Sequence, residues 1–215
     1  MPILNNINFK IKEGDRIALL GSNGAGKSTL IKIIIGLIQQ TDGEIIRKIN
    51  SNTDINYLSQ ENILIEDLTV LEQVKIEAEI MKIKSNQLLN EMLMKFSLDY
   101  KRNTIINNLS GGEKRRLSLL LCTLREAKLL ILDEPTVGMD LKLIDYLWNY
   151  LYKLGSTVLT ITHDFNQIDK YFSRIWLLKN GQLIKDVSVE EIHQHNQAIE
   201  QWYRKFNDGD EQIND

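Results

Sequence analysis

Residues 21–29 read Gly21-Ser22-Asn23-Gly24-Ala25-Gly26-Lys27-Ser28-Thr29, a complete GxxxxGK(S/T) arrangement suited to binding a polyphosphate. Glycines at 21, 24 and 26 let the backbone turn with its N–H groups facing inward as an anion nest. Lys27 adds a point charge, and a helix starting here adds its positive end. Ser28 offers a hydroxyl to magnesium, so a nucleoside triphosphate is the expected ligand. A second constellation, Leu129-Leu130-Ile131-Leu132-Asp133-Glu134, is an apolar strand ending in two carboxylates. Asp133 suits magnesium and its waters, and Glu134 suits a base that orients an attacking water. The third, Leu109-Ser110-Gly111-Gly112-Glu113, opens a helix with Ser110 and Glu113 as a capping box. Two consecutive glycines are poor helix formers, but they leave bare N–H groups at a positive helix end, which makes a second anion site.

These residues need elements to hold them. Arg16–Leu20 is a short apolar run suited to a buried strand, and residues 28–38 are read as the helix that a phosphate loop requires, despite the β-branched run Ile33-Ile34-Ile35. Gly36 falls in its last turn or cap. Residues 7–12 alternate apolar and polar up to Glu13-Gly14-Asp15 and predict a half-exposed strand; a second β signal covers Gly43 to Ile49. From Leu68 to about Leu98 the pattern is helical, beginning at the capping box Thr69-Val70-Leu71-Glu72. Leu129–Leu132 and Thr157–Ile161, separated by an amphipathic helix from Lys142 to Leu154 that Gly155 ends, form a βαβ unit. Ile175–Leu178 and Leu183-Ile184 read as a hairpin around Asn180-Gly181. A last helix starts at Ser188-Val189-Glu190-Glu191 with Ile192, Ile199, Trp202 and Phe206 on one face.

At 215 residues the chain can bury a sizeable core without staples, and a net charge of −3 with interspersed signs lacks the polybasic stripe that nucleic acid binding uses. No nucleic acid partner is expected. The single cysteine, Cys122, lies in an apolar segment and is read as a buried, reduced thiol. The first residues carry no leader pattern, and no apolar stretch approaches the roughly 20 residues of a spanning helix. Any membrane span must then come from another polypeptide.

With these motifs in order, the chain resembles the nucleotide-binding subunit of an ATP-binding cassette (ABC) transporter along nearly its whole length. GSNGAGKST is similar to the Walker A motif, LSGGE to the signature and LLILDE to Walker B. The resemblance implies one ABC ATPase domain over residues 1–215, of α/β class: a P-loop NTPase core with a mostly parallel sheet, an N-terminal antiparallel β subdomain, an inserted helical lobe at about 62–108 and an acidic tail at 207–215. It implies ATP and Mg2+ as ligand and cofactor, and a head-to-tail dimer in which Ser110, Gly111, Gly112 and Glu113 meet the γ-phosphate held by a second nucleotide-binding subunit. Gln60 resembles the Q-loop glutamine that contacts magnesium, Asp140 the D-loop aspartate, and His163 the switch histidine on the γ-phosphate. A membrane permease is the implied partner, with the subunit cytoplasmic and peripheral at the inner face of the cell membrane. Asp133–Asp140 resembles the wording of small bacterial exporter ATPases, which points to export.

Two departures stand out. The signature ends in Glu113 where glutamine is usual, and the family's first strand, with its adenine-stacking aromatic, has no counterpart; Phe9 is the only aromatic before Gly21. Base stacking is worth roughly 1–3 kcal/mol, so its loss lowers ATP affinity about 5-fold to 150-fold. The alternative function, a soluble ABC-type ATPase acting on ribosomes or DNA, fits less well, because such proteins resemble paired cassettes or carry a long coiled coil. A P-loop kinase would leave LSGGE and His163 unexplained.

Overall fold

The computed structural model describes residues 3–50 and 53–207, so residues 208–215 of the expected acidic tail lie outside the described residues. The chain forms two compact units, one of Met1–Ile55, Lys128–Ile131 and Ser156–Asp215, the other of Asn56–Ala127 and Leu132–Gly155. Strands β1 (Arg16–Leu20), β2 (Ile55–Leu58), β3 (Leu129–Asp133), β4 (Thr157–Ile161), β5 (Arg174–Lys179) and β6 (Gln182–Ser188) make one sheet in the order β2-β3-β4-β1-β5-β6. β1 runs parallel to both β4 and β5, Ala18 facing Thr160 on one side and Ile175 on the other. Strands covered on both faces read as continuous apolar runs, and Ile17 to Leu20 have no exposed surface. β6 pairs antiparallel with β5, and its alternation of exposed and half-buried residues marks it as an edge. The hairpin turn uses Asn180 and Gly181 at φ 49° and 74°, the left-handed pair whose twist suits a two-residue connection.

In the first unit, α1 (Lys27–Ile34) follows β1. It ends in a Schellman motif, with Gly36 at φ 83°, its N–H on Ile33 O, and the Leu37 N–H on Lys32 O. α6 (Phe165–Tyr171), α7 (Val189–Gln194) and α8 (Ile199–Asn207) complete that unit. The second unit holds α2 (Val70–Ile80), α3 (Asn86–Lys95), α4 (Gly111–Thr123) and α5 (Leu141–Lys153), around a core that includes Val70, Val74, Leu93, Leu98, Ile106, Leu117 and Leu120. Among the described residues no helix is long and apolar enough to cross a membrane. Burial pushes the Cys122 thiol up to about 12, which keeps it protonated at neutral pH.

The α/β class with a mostly parallel sheet stands as expected, but several elements differ. Residues 7–12 and 43–49 form no strand. A strand needs a hydrogen-bonded neighbour, and side chains take that place here: Arg174 donates to Lys10 O at 2.9 Å, and Asp15 accepts from the Lys12 N–H. Phe9 still packs on Trp176, ring centroids 5.1 Å apart. In the second segment Arg47 donates to the carbonyls of Ile33 and Ile34 at the end of α1, while Ile46 is 77% exposed.

The helical run from Leu68 to Leu98 breaks between α2 and α3, where Lys82 turns at φ 59° and Ser85 caps the second helix. The last helix is also two helices, α7 and α8, parted at Asn196 with φ 52°. Ile192 and Ile199, both buried, are seven positions apart in sequence, the spacing of about two turns in one helix, so the apolar period survived the break and concealed it. β2 and α6 are too short to announce themselves by an apolar period.

Candidate nucleotide-binding site

Residues 21–29 connect β1 to the first turn of α1. Gly24 and Gly26 have φ of 80° and 102°, in the left-handed region that favours glycine. A Cβ on Gly21 would lie 2.3 Å from the Leu178 carbonyl oxygen, so the loop's entry is packed against β5 by backbone alone. Lys27 is buried, its Nζ donating to the carbonyls of Gly21 at 2.6 Å and Ser22 at 3.0 Å, which draws the ammonium over the loop. Ala25 is buried and Thr29 half-buried, while Ser22, Asn23, Gly24 and Ser28 are exposed. The start of α1 is unlike that of α2 to α7. Those helices begin at Thr69, Ser85, Ser110, Asp140, Asp164 and Ser188, each accepting an N–H bond on its side chain. α1 begins at Gly26 with no side-chain cap, leaving its positive end to an acceptor from outside the helix.

A contact missed by sequence reading braces this loop. The Asn5 N–H donates to Gly181 O at 2.8 Å, and the Gly181 N–H donates to Ala25 O at 3.1 Å. Residues 3–5 and the β5–β6 turn therefore flank the phosphate loop, and Gly181 cannot carry a Cβ because Ile3 O would lie 2.3 Å from it. Nothing in a sequence pattern announces a contact between residues so far apart. His163, also in this unit, is exposed beyond the end of β4. Its neighbours fix its backbone: Thr162 Oγ1 accepts from the Asp164 N–H, and Asp164 caps α6.

In the second unit Asp133 closes β3 and is buried, and Glu134 follows in the left-handed region at φ 47°. That conformation costs a non-glycine residue about 1–3 kcal/mol and gathers at functional sites. Asp140 caps α5, its Oδ1 accepting from the Leu143 N–H at 3.0 Å. Gln60 is exposed beyond β2. At the start of α4 the capping box is complete: Ser110 Oγ accepts from the Glu113 N–H and Glu113 Oε2 from the Ser110 N–H. Gly111 has open space where a Cβ would stand, whereas a Cβ on Gly112 would lie 2.6 Å from Gly138 O. The two glycines thus differ in kind, and Gly112 brings the start of α4 against the turn before Asp140.

Arg115 carries no signal of its own in the sequence, because it sits among other charges in Lys114-Arg115-Arg116. It is buried, with Nη1 donating to the carbonyls of Ser59 at 2.7 Å and Gln60 at 3.2 Å and to Asn62 Oδ1 at 3.3 Å. Its Nη2 donates to the Glu134 carbonyl at 2.9 Å and to the Asp133 carbonyl. Burial pulls its pKa down, and the neighbouring charge of Asp133 opposes that. The structure thereby joins Gln60, Asp133 and Glu134 through one guanidinium.

A family profile described as ABC transporter matches residues 4–137. A Chlorella vulgaris protein named "Probable sulfate/thiosulfate import ATP-binding protein" is 33% identical over 206 residues, covering 89% of this chain and 87% of that protein. The spermidine/putrescine import ATP-binding protein of Borreliella afzelii is 34% identical over 205 residues, and there the chain spans 59% of the relative's length against 88% of its own. Among solved structures, an ATP-binding subunit of an ABC transporter superposes with a TM-score of 0.85 at 26% identity, covering 94% of this chain and 92% of that one. A dimeric cassette, MJ0796, in a post-hydrolysis state with ADP and Pi, superposes with a TM-score of 0.77 at 30% identity over 87% of this chain and 90% of that one.

Proposed function

The chain belongs to the ABC transporter family and is an ATP-binding ATPase, and from that premise we propose that it powers a membrane permease as one of two paired nucleotide-binding subunits. The observation that carries the site assignment is the start of α1, a helix end without a side-chain cap behind a glycine loop and a buried lysine. In this reading the N–H groups of residues 21–29 and the Lys27 ammonium hold the phosphates. Ser110, Gly111 and Gly112, with Glu113 completing their cap, meet the γ-phosphate bound by the other subunit.

For Mg2+ this reading assigns Ser28 of the first unit and Gln60 and Asp133 of the second, whose hydroxyl, amide and carboxylate oxygens are each the hard donors that ion takes together with substrate phosphates. Bound there, the ion would neutralise charge on the phosphate oxygens. Glu134 orients the attacking water and takes up its proton as the bond from the γ-phosphorus to the bridging oxygen breaks, releasing ADP and phosphate. His163 donates to a γ-phosphate oxygen, and Asp140, by capping α5, fixes the turn that packs on Gly112.

A Glu134→Gln variant tests this assignment. It should bind ATP and dimerise while turnover falls about 100-fold or more; unchanged hydrolysis would remove Glu134 from the role. Co-purification with a multi-span membrane protein would support the permease, and co-purification with ribosomes or DNA would overturn it. We propose a position at the inner face of the cell membrane and one continuous cassette over 1–215, with the helical lobe at 62–108 passing motion to the permease. For direction, the resemblance of Asp133–Asp140 to small exporter ATPases favours export, while the two relatives named above carry import names. In proteoliposomes with the subunit on the outer face, ATP-driven accumulation of substrate inside reports export, and ATP-driven depletion reports import.

A further inference from the structure

α4 carries the signature at its first turn and Arg115 one turn later, and that guanidinium spans two segments that the chain brings together from distant positions. One is the stretch after β2, where Ser59 O, Gln60 O and Asn62 Oδ1 accept from Nη1. The other is the end of β3, where the carbonyls of Asp133 and Glu134 accept from Nη2. Beyond a strand's end a carbonyl loses its ladder partner, and a buried one needs another donor. Arg115 supplies it in both places with two nitrogens of one planar group. Glu134 is held at φ 47°, a conformation that persists only where its surroundings fix it. Its own carbonyl is one of the five acceptors.

We infer that Arg115 is a positioning residue for hydrolysis: it sets the main chain of Glu134 and Gln60 relative to each other and ties both to the helix that carries Ser110. This rests on the proposed roles of Glu134 and Gln60. The planar fork is required, because a lysine ammonium is a single point that cannot serve two carbonyl groups on opposite sides. The phosphate loop shares none of these hydrogen bonds, so nucleotide affinity measured without Mg2+ should be insensitive to Arg115.

The test compares Arg115→Lys with the parent protein by thermal melting, fluorescent ATP-analogue binding and steady-state ATPase kinetics. The expected result is Mg2+-free nucleotide affinity within about 2-fold, a fold retained, and kcat lower by about 10-fold to 100-fold, the scale of a misplaced catalytic group. An unchanged kcat, or a kcat loss matched by equal losses of nucleotide binding, would overturn the inference. Should Arg115→Lys fail to fold, Arg115→Gln serves as the second variant, and failure of both would assign Arg115 to stability alone. Glu134→Gln in parallel separates the two proposals. If it abolishes turnover while Arg115→Lys does not, the site stands and Arg115 falls; if it leaves turnover intact, the site assignment fails first.

Discussion

Lys101 Nζ lies 3.5 Å from Glu113 Oε1, and the same oxygen accepts from the Tyr100 hydroxyl at 3.3 Å. The other carboxylate oxygen is taken by the Ser110 N–H. In the proposed dimer a carboxylate in the first turn of α4 would repel the polyphosphate facing it, and here a cation stands beside that carboxylate. Lys101→Met should therefore weaken ATP-driven dimerisation by about 1.5-fold to 5-fold, the scale of a partly exposed ion pair. Adding Glu113→Gln to the same chain should restore it. Sedimentation of all four proteins across an ATP titration measures this; equal weakening with and without the Glu113 change would discard the compensation.

The same carboxylate gives a pH dependence. The hydrogen bond from the Ser110 backbone is the main cause holding Glu113 below its ordinary value of 4.5, and Glu72 is lowered in the same way, chiefly by the Thr69 side chain. A depressed folded pKa adds stability above the ordinary carboxylate value and loses it as pH falls through the lowered one. Melting temperature should thus hold from neutrality to about pH 5 and drop below it. Glu113→Gln should flatten that drop, and a variant as acid-sensitive as the parent would speak against the cap as its source.

Gly111 and Gly112 can be separated by alanine. At Gly111 a Cβ meets nothing within 4 Å, whereas at Gly112 it would press on the Gly138 carbonyl oxygen at 2.6 Å. Gly111→Ala should leave stability unchanged or raise it by up to about 1 kcal/mol, since alanine favours a helix, yet it should reduce ATPase activity by covering a bare N–H. Gly112→Ala should lower stability as well as activity. Calorimetry beside an ATPase assay distinguishes them, and full activity in Gly111→Ala would deny that glycine a ligand role.

Much of this was legible because its determinants are local. Caps at Thr69 and Ser110, the hairpin at Asn180-Gly181, and the apolar strands flanking residues 21–29 each depend on neighbours within a few positions. What was not legible depends on partners far along the chain. Residues 7–12 have the alternation of a strand but no ladder, because alternation reports burial of one face and says nothing about a pairing edge. Asn196 broke the last helix without disturbing its apolar period. Arg115 looked like one more surface charge, since no pattern of spacing reveals that five acceptors wait for it from residues 59–62 and 133–134.

The base end of the nucleotide yields the last expectation. Phe9, the only aromatic ahead of the phosphate loop in sequence, is packed on Trp176, which has no exposed surface. One face of its half-buried ring is thereby taken up by Trp176. Aromatic pairs of this kind add about 0.5–1.5 kcal/mol beyond the area they bury, so Phe9→Leu should lower the melting temperature by several degrees, about 4–8 °C per kcal/mol in a small domain and less in one of this size. Affinity for nucleotide should not follow. If the phosphates carry the recognition, ATP and GTP bind the parent protein with similar affinities, and Phe9→Leu leaves their ratio unchanged. Isothermal titration of both nucleotides against both proteins decides the point: a strong preference for ATP in the parent would require a base contact elsewhere, and its loss in Phe9→Leu would return Phe9 to the site.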